Sequence, residues 1–327
     1  MSPQMTFQKR PLGKTGIFVT PVGLGMMGFS GGGGLIGLAF PPIPQADKNA
    51  IVKAGLDGGI NWFDTAEMYG GGMSERSLAT ALRAASMPDG EVVVATKWSP
   101  ILRTARSIGR TIEARLRFLE GYSIGLYMVH QPHGLSSPEA EMDAMADLVA
   151  AGKIRSVGVS NFSAERMRRA HAALQRRGIP LAANQVRYSL LHREIETDGI
   201  LDTARELGVT IIAYTPLGSG ALSGKYQDDP ESVRRLTAGR RWLVGRDLAR
   251  SRTVVPALRD IAQKHGVTPA QVALNWLIHA QGEIVVTIPG VTKIHQAQES
   301  AGAMGFGLTA DEMAQLDTLT LAYRVPA

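Results

Sequence analysis

The chain is expected to fold as a (β/α)8 TIM barrel, an α/β architecture, here with an N-terminal β-hairpin and a long loop after strand 7. Three observations lead there. Short apolar runs recur eight times along the 327 residues, each followed by an amphipathic helical stretch. The runs are continuous rather than alternating, as strands buried on both faces must be. No linker or break in composition divides the chain, so residues 1–327 read as a single domain. A doubly wound sheet is the competing architecture. It requires a G-x-G-x-x-G turn after the first strand, and the glycine cluster 31–34 lacks that spacing.

Taken in order, residues 1–8 read as a loose terminus. Lys9 to Gly16 and Phe18 to Val22 form a small hairpin around Lys14-Thr15-Gly16, and Val22 to Gly25 is the first barrel strand. Gly28 to Gln45, rich in glycine and proline, reads as a long surface loop. The remaining strands are expected at 60–63, 92–96, 123–129, 154–159, 182–186, 209–214 and 284–288. Helices are expected at 46–57, 75–85, 105–119, 138–150, 163–176, 194–206, 254–265 and 293–303, with a further one from Pro269 to His279. Ser74 is the expected N-cap of the second helix. Thr309 to Leu321 closes the fold, and no long tail follows to enclose a pocket, so a fairly open site is expected.

Composition removes several function classes. With no cysteine, disulfides, iron–sulfur clusters and thiolate chemistry are excluded. There is no apolar run of about 18 residues and no basic-then-apolar leader, so a soluble, cytoplasmic protein is expected. The net charge of +6 and the pI near 9.6 suggest nucleic acid only until their distribution is examined. Residues 232–252 hold Arg234, Arg235, Arg240, Arg241, Arg246, Arg250 and Arg252 against one acid, Asp247, which accounts for the whole excess. One local patch in one loop favours a small anionic ligand over a polyanion.

In such a barrel, chemistry collects at the C-terminal ends of the strands. The most informative end is the stretch 59–75, where the apolar run Ile60 to Phe63 passes abruptly into Asp64, a small-residue turn, Tyr69 and three glycines. Those glycines free the backbone to bring Tyr69 back over the strand end. The third strand ends in Lys97 and Trp98, the fourth in His130, the fifth in Ser160 and Asn161, the sixth in Asn184 and Gln185. The seventh ends in Tyr214, then Pro216-Leu217-Gly218-Ser219-Gly220, and the eighth in Pro289-Gly290. Singly, each has an ordinary explanation: Asp64 as a turn cap, Lys97 as a solvated edge residue, His130 as a satisfied rim histidine. Together on one face they suit one task. A cation beside a tyrosine favours the phenolate and lowers a pKa of about 10. Lys97 can do that, Asp64 can keep Lys97 charged, and His130 can hydrogen-bond a substrate oxygen. The set delivers a proton to an oxygen gaining negative charge. It supplies no nucleophile and no electron sink, so a nicotinamide hydride is the natural source of electrons. No metal is expected, because His130 and His133, with Pro132 between them, make a poor chelate.

From about Leu12 to about Leu316 the sequence resembles the aldo-keto reductase superfamily. The motifs that carry the resemblance are Gly59-Ile60-Asn61-Trp62-Phe63-Asp64-Thr65-Ala66-Glu67-Met68-Tyr69-Gly70, Ala95-Thr96-Lys97, Met128-Val129-His130, Gly152 to Phe162, Asn184-Gln185 and Tyr214-Thr215-Pro216-Leu217. The resemblance implies a barrel that reduces aldehydes or ketones with a nicotinamide cofactor, NADPH before NADH. It implies Tyr69 as general acid, Lys97 and Asp64 as its tuning pair, and His130 as the residue orienting the carbonyl. It places Ser160, Asn161 and Gln185 on the carboxamide and Tyr214 against the nicotinamide ring. The pyrophosphate would lie by Pro216, Leu217, Gly218 and Ser219, where successive amides can face an anion. Near Pro289 and Gly290, the arginine common in the family is replaced by Thr292, with Lys293 beside it; Gln296 and Glu299 match adenosine-contacting positions, while Ser300 replaces a frequent asparagine. Lys293, helped by the arginine run, is the expected substitute for the missing guanidinium. Met27, Phe29, Trp98 and Tyr188 are candidate walls for a small-molecule carbonyl substrate. The alternative function is a nicotinamide-binding sensor or regulatory barrel with little turnover.

Overall fold

The computed structural model describes residues 7–33 and 40–325. Most of the expected loose terminus and residues 34–39 of the expected surface loop lie outside them. The chain opens with an antiparallel hairpin of β1 (Arg10–Pro11) and β2 (Phe18–Val19), with Arg10 opposite Val19. Eight parallel strands follow in sequence order: β3 (Leu24–Gly25), β4 (Trp62–Asp64), β5 (Val93–Trp98), β6 (Ile124–Val129), β7 (Val157–Ser160), β8 (Leu181–Arg187), β9 (Thr210–Tyr214) and β10 (Val285–Ile288). The sheet closes on itself. Val22 and Gly25 bridge in parallel to Thr287 and Gly290, and the Gly23 N–H donates to the Thr287 carbonyl at 2.8 Å.

Strand parity sorts the apolar residues into two cores. Trp62, Val93, Ala95, Leu126, Met128, Ala183, Ile212, Val286 and Ile288 point into the barrel. Leu12, Ile17 and Val19 from the hairpin join them, so the hairpin stoppers the end opposite the strand C-termini. Arg10, nearly enclosed, donates to the Val285 carbonyl at 2.5 Å. The alternate strand residues, among them Phe63, Val94, Tyr127, Val129 and Val159, face outward into the larger core shared with the helices.

The helices are α1 (Gln45–Asp57), α2 (Met73–Ala84), α3 (Arg106–Leu119), α4 (Pro138–Ala150), α5 (Ala164–Gln175), α6 (Ile200–Leu207), α7 (Ala238–His265), α8 (Pro269–His279), α9 (Ile294–Gly302) and α10 (Ala310–Leu319). Their starts follow from the sequence. Ser137 and Ser163 cap α4 and α5, and Thr268 and Thr309 form capping boxes with Gln271 and Glu312. Three expectations are corrected. Ser74 lies inside α2, whose N-cap is the left-handed Gly72; its hydroxyl instead donates to the Met26 carbonyl and accepts from Thr65. The helix expected at 194–206 is split into a 3-10 turn, Glu194–Glu196, and α6, because Gly199 at φ +85° interrupts it and Asp198 caps Ile200. The connection after the seventh barrel strand is long, as expected, but its arginine run is helical rather than loop. It enters α7 through two short helical turns, Lys225–Asp228 and Glu231–Arg234. Val244, Asp247, Ser251, Val254 and Leu258 form a buried stripe along α7 at helical spacing, leaving Arg241, Arg246 and Arg252 to face water.

Candidate active site

The inward parity that fills the barrel also builds the site. Asp64 shares the face of Trp62, Lys97 that of Val93 and Ala95, and His130 continues that of Leu126 and Met128. Gln185 and Tyr214 likewise follow Ala183 and Ile212. All therefore meet at the C-terminal mouth. Tyr69 arrives differently, on the loop after β4. The Gly70, Gly71 and Gly72 backbone follows it with φ of +69°, +63° and +100°, and this turn folds the tyrosine back over the strand ends. The loop is pinned by Glu67, which accepts from the Ser99 amide at 3.0 Å and from Arg103 at 2.8 Å.

Lys97 is fully buried, and its Nζ donates to Asp64 Oδ1 at 2.5 Å and to the Thr65 carbonyl at 2.8 Å. The other Asp64 oxygen accepts from Gln185 Nε2 at 2.9 Å. The ammonium also lies 5.3 Å from the centre of the Tyr69 ring, and the His130 ring meets that ring edge-on at 5.8 Å. Burial pushes Asp64 up and Lys97 down, and the contact between them opposes both shifts. His130 is held down at about 3, by burial first and then by Lys97, so it is a neutral imidazole at neutral pH. Its Nδ1 is enclosed without a partner among the described residues, which leaves Nε2 as the nitrogen that reaches the cavity.

Tyr69 corrects an expectation. Burial, then the Asp64 charge and the Tyr214 phenol, push it above its ordinary value, whereas Lys97 was expected to pull it down. The physical reason is that Asp64 already neutralises Lys97 and that the phenol is nine-tenths enclosed. Tyr69 is therefore a protonated phenol at neutral pH.

Asp64, Tyr69, His130, Gln185 and Tyr214 line a cavity of about 980 Å³, with Lys97 buried behind Asp64. Of the expected cofactor positions, Ser160, Asn161, Gln185, Tyr214, Pro216, Leu217, Ser219, Pro289, Gly290, Gln296 and Glu299 line it; Gly218 is buried just behind and Lys293 is exposed outside. Asn161, at φ +59°, accepts from the Tyr214 hydroxyl at 3.0 Å and donates to Ser160 at 3.1 Å. Gly218, Ser219 and Gly220 follow with φ of +56°, +55° and +95°; the Gly218 and Gly220 amides donate to the Thr215 and Leu217 carbonyls at 3.1 and 3.0 Å, and Ser219 between them lines the cavity. Met27 lines the cavity, but three other expected walls do not. Trp98 has the opposite parity to Lys97 and is buried toward α3, donating to Ser107 at 3.0 Å. Tyr188, outward by the same rule, donates to Glu196 and packs by Trp276. Phe29 is enclosed beneath Lys48.

Sequence reasoning missed Gln131, Arg187, Lys225, Trp242 and His295, which also line the cavity, as do Arg240 and Arg246 of the arginine run expected to help Lys293. Arg187 was detectable, since it stands two residues after Gln185 and so on the same face. Arg240 is brought in by α7, where it lies two turns before Asp247 on one stripe and its guanidinium sits 5.3 Å from the Phe40 ring. Lys225 is pushed down by lost hydration, then by the charges of Arg240 and Lys293, and it has no carboxylate partner among the described residues. No group of three or more histidines, aspartates and glutamates is arranged for a metal among those residues.

A closed parallel barrel with a tyrosine, a buried lysine–aspartate pair and a neutral histidine at its mouth defines the oxidoreductase class. The model of the aldo/keto reductase family matches residues 21–320, and the chain belongs to that family. It is similar to a chloroplastic pyridoxal reductase of Arabidopsis thaliana, 36% identical over 80% of this chain and 73% of the relative. It is also similar to a probable aldo-keto reductase of Glycine max, 30% identical over 96% and 89%. Among solved structures, an aldo-keto reductase from Klebsiella pneumoniae in complex with NADPH superposes with a TM-score of 0.74 at 28% identity, covering 98% of this chain and 97% of that one. No helix among the described residues is long and apolar enough to cross a membrane.

Proposed function

We propose that the chain, acting as a single cytoplasmic domain, reduces an aldehyde or ketone to an alcohol with NADPH, Tyr69 being the general acid. The observation that carries this reading is Tyr69 in the cavity wall beside the buried Lys97–Asp64 pair. Bound NADPH supplies the hydride to the carbonyl carbon. The Tyr69 hydroxyl gives its proton to the carbonyl oxygen as negative charge builds there, and Lys97 stabilises the phenolate left behind. His130, neutral, donates from Nε2 to the same oxygen and orients it. Ser160, Asn161 and Gln185 hold the carboxamide, Tyr214 covers the ring, and the turn from Pro216 to Ser219 takes the pyrophosphate. Gln296 and Glu299 contact the adenosine, beside Pro289 and Gly290.

Lys225, Arg240 and Lys293 support the preference for NADPH. Lys225, with the charges of Arg240 and Lys293 acting on it and no acid paired to it, gains from a ligand that supplies negative charge, and the 2′-phosphate does so. Met27 forms one apolar wall for the substrate.

The test is NADPH and NADH oxidation followed by absorbance against aromatic and aliphatic aldehydes and ketones, with Tyr69→Phe alongside. Turnover with NADPH is expected to fall by about 10²–10⁴-fold in Tyr69→Phe, with NADPH affinity retained. Tight NADPH binding without turnover on any carbonyl would favour the sensor function instead.

A further inference from the structure

The arginine run of α7 contains one acid, and that acid is enclosed. Asp247 has no exposure, and both its oxygens accept from Arg187 Nη2, at 3.0 and 2.8 Å. Oδ1 also meets His192 Nε2 at 2.7 Å. Arg187 itself is not enclosed: it keeps 37% side-chain exposure and lines the cavity. It shares the face of Gln185 on β8 and stands in register with Tyr214 on β9. Asp247 in turn sits against Gly218, where an added Cβ would come within 3.3 Å of Oδ2. The guanidinium is thus tied, through Asp247, to an enclosed carboxylate that packs against the turn at Gly218.

A guanidinium carries five N–H donors in a rigid fork. Here one nitrogen is committed to Asp247, while Nε and Nη1 have no acceptor among the described residues. Burying a carboxylate completely is costly unless it is well paired, and here the pair fixes the orientation of a cation that faces the cavity. An arginine that only solvated the rim would need no such partner. We propose that Arg187, oriented by Asp247, receives one oxyanion of the bound ligands, a carboxylate or phosphate oxygen, and thereby sets which charged ligand the site prefers. Asp247 is the positioning residue and Arg187 the receptor. The proposal rests on the NADPH-dependent reading, and its oxyanion comes either from the cofactor's phosphates or from the carbonyl substrate.

The two sources separate experimentally. Arg187→Met removes the charge and keeps much of the length. Its NADPH dissociation constant is measured by fluorescence titration without substrate. KM is then measured at saturating NADPH for 4-carboxybenzaldehyde and 4-methylbenzaldehyde, which differ in charge but little in size. Loss of a charge-assisted hydrogen bond is expected to weaken one arm by roughly ten- to a hundredfold. A weaker NADPH constant assigns a cofactor phosphate; a rise in KM for the carboxylated aldehyde alone assigns a substrate carboxylate. Asp247→Asn is expected to move the same arm by a smaller factor. The proposal is overturned if a folded Arg187→Met leaves both arms within about twofold, or raises both KM values alike with NADPH affinity unchanged. If Arg187→Met does not fold, Arg187→Lys takes its place: charge without a fork gives a partial loss in one arm, and no loss in either overturns the proposal. Wild-type protein that neither binds NADPH nor reduces an aldehyde would instead sink the reading on which this rests.

Discussion

Replacing Lys97 with methionine tests stability and catalysis through one atom. The Nζ lies 5.3 Å from the centre of the Tyr69 ring. At an effective dielectric of about 20, a unit charge at that distance favours the phenolate by about 3 kcal/mol, which is roughly a hundredfold in rate. Asp64 offsets part of this in the wild type, so the hundredfold is an upper estimate for kcat, with NADPH affinity unchanged. The same change leaves the buried Asp64 carboxylate with Gln185 as its remaining donor. Breaking a buried pair by removing one partner costs about 3–5 kcal/mol. The sign with pH follows from Asp64, already raised by burial and raised further without Lys97. A carboxyl raised in the folded state contributes stability that is present at low pH and lost as pH rises through its folded pKa. The melting-temperature gap between Lys97→Met and wild type should therefore narrow on going from pH 8 to pH 5. The double variant Asp64→Asn with Lys97→Met should be more stable than Lys97→Met alone, because it removes the uncompensated charge. Additive effects in that cycle, together with a gap that does not depend on pH, would refute the buried ion pair. A kcat within threefold of wild type would refute the tuning role.

Three further outcomes follow. Because His130 is held down at about 3, the pH profile of kcat/KM should show no step near 6.5 that disappears in His130→Gln; such a step would mean that the imidazole titrates in the working range. The same depression makes its contribution to folding stability present above about pH 6.5 and lost as the pH falls below it, so wild type should lose melting temperature on acidification more steeply than His130→Gln. Gly218→Ala would place a Cβ 2.8 Å from Leu191 at a φ of +56°, so a loss of about 1–2 kcal/mol is expected, with weaker NADPH binding; an unchanged melting temperature and affinity would count against a close-packed turn.

Most of the architecture was legible because each strand announces itself by an apolar run and each helix by its period, and both are local signals. Asp64, Lys97 and His130 were legible for a second reason, since the barrel collects strand ends whatever their separation along the chain. What escaped the reading depends on facing rather than position. Trp98 and Tyr188 stand at strand ends, yet one residue of parity turns each outward to the helices. Ser74 looked like a cap, but the left-handed Gly72 already ends the turn, and the hydroxyl is used across to Met26. The arginine run read as loop because its charges hid the buried stripe through Val244, Asp247 and Ser251. The direction of the Tyr69 shift escaped because it is set by enclosure, which only the fold determines.

The arrangement of charge divides the cavity by function. At its floor, Asp64 offsets part of the Lys97 charge, His130 is neutral and Tyr69 holds its proton. That floor suits a neutral carbonyl, whose charge appears only as it reacts and meets a prepared donor. Around the rim stand Arg187, Lys225 and Arg240, cations of which only Arg187 has a carboxylate partner among the described residues. A ligand with charge at one end and a neutral reactive ring at the other satisfies both regions at once, and in the proposed pose it can enter in one orientation only. Reversing it would place phosphates against Asp64 and leave the rim cations unneutralised, so the same charges that hold such a ligand also aim it.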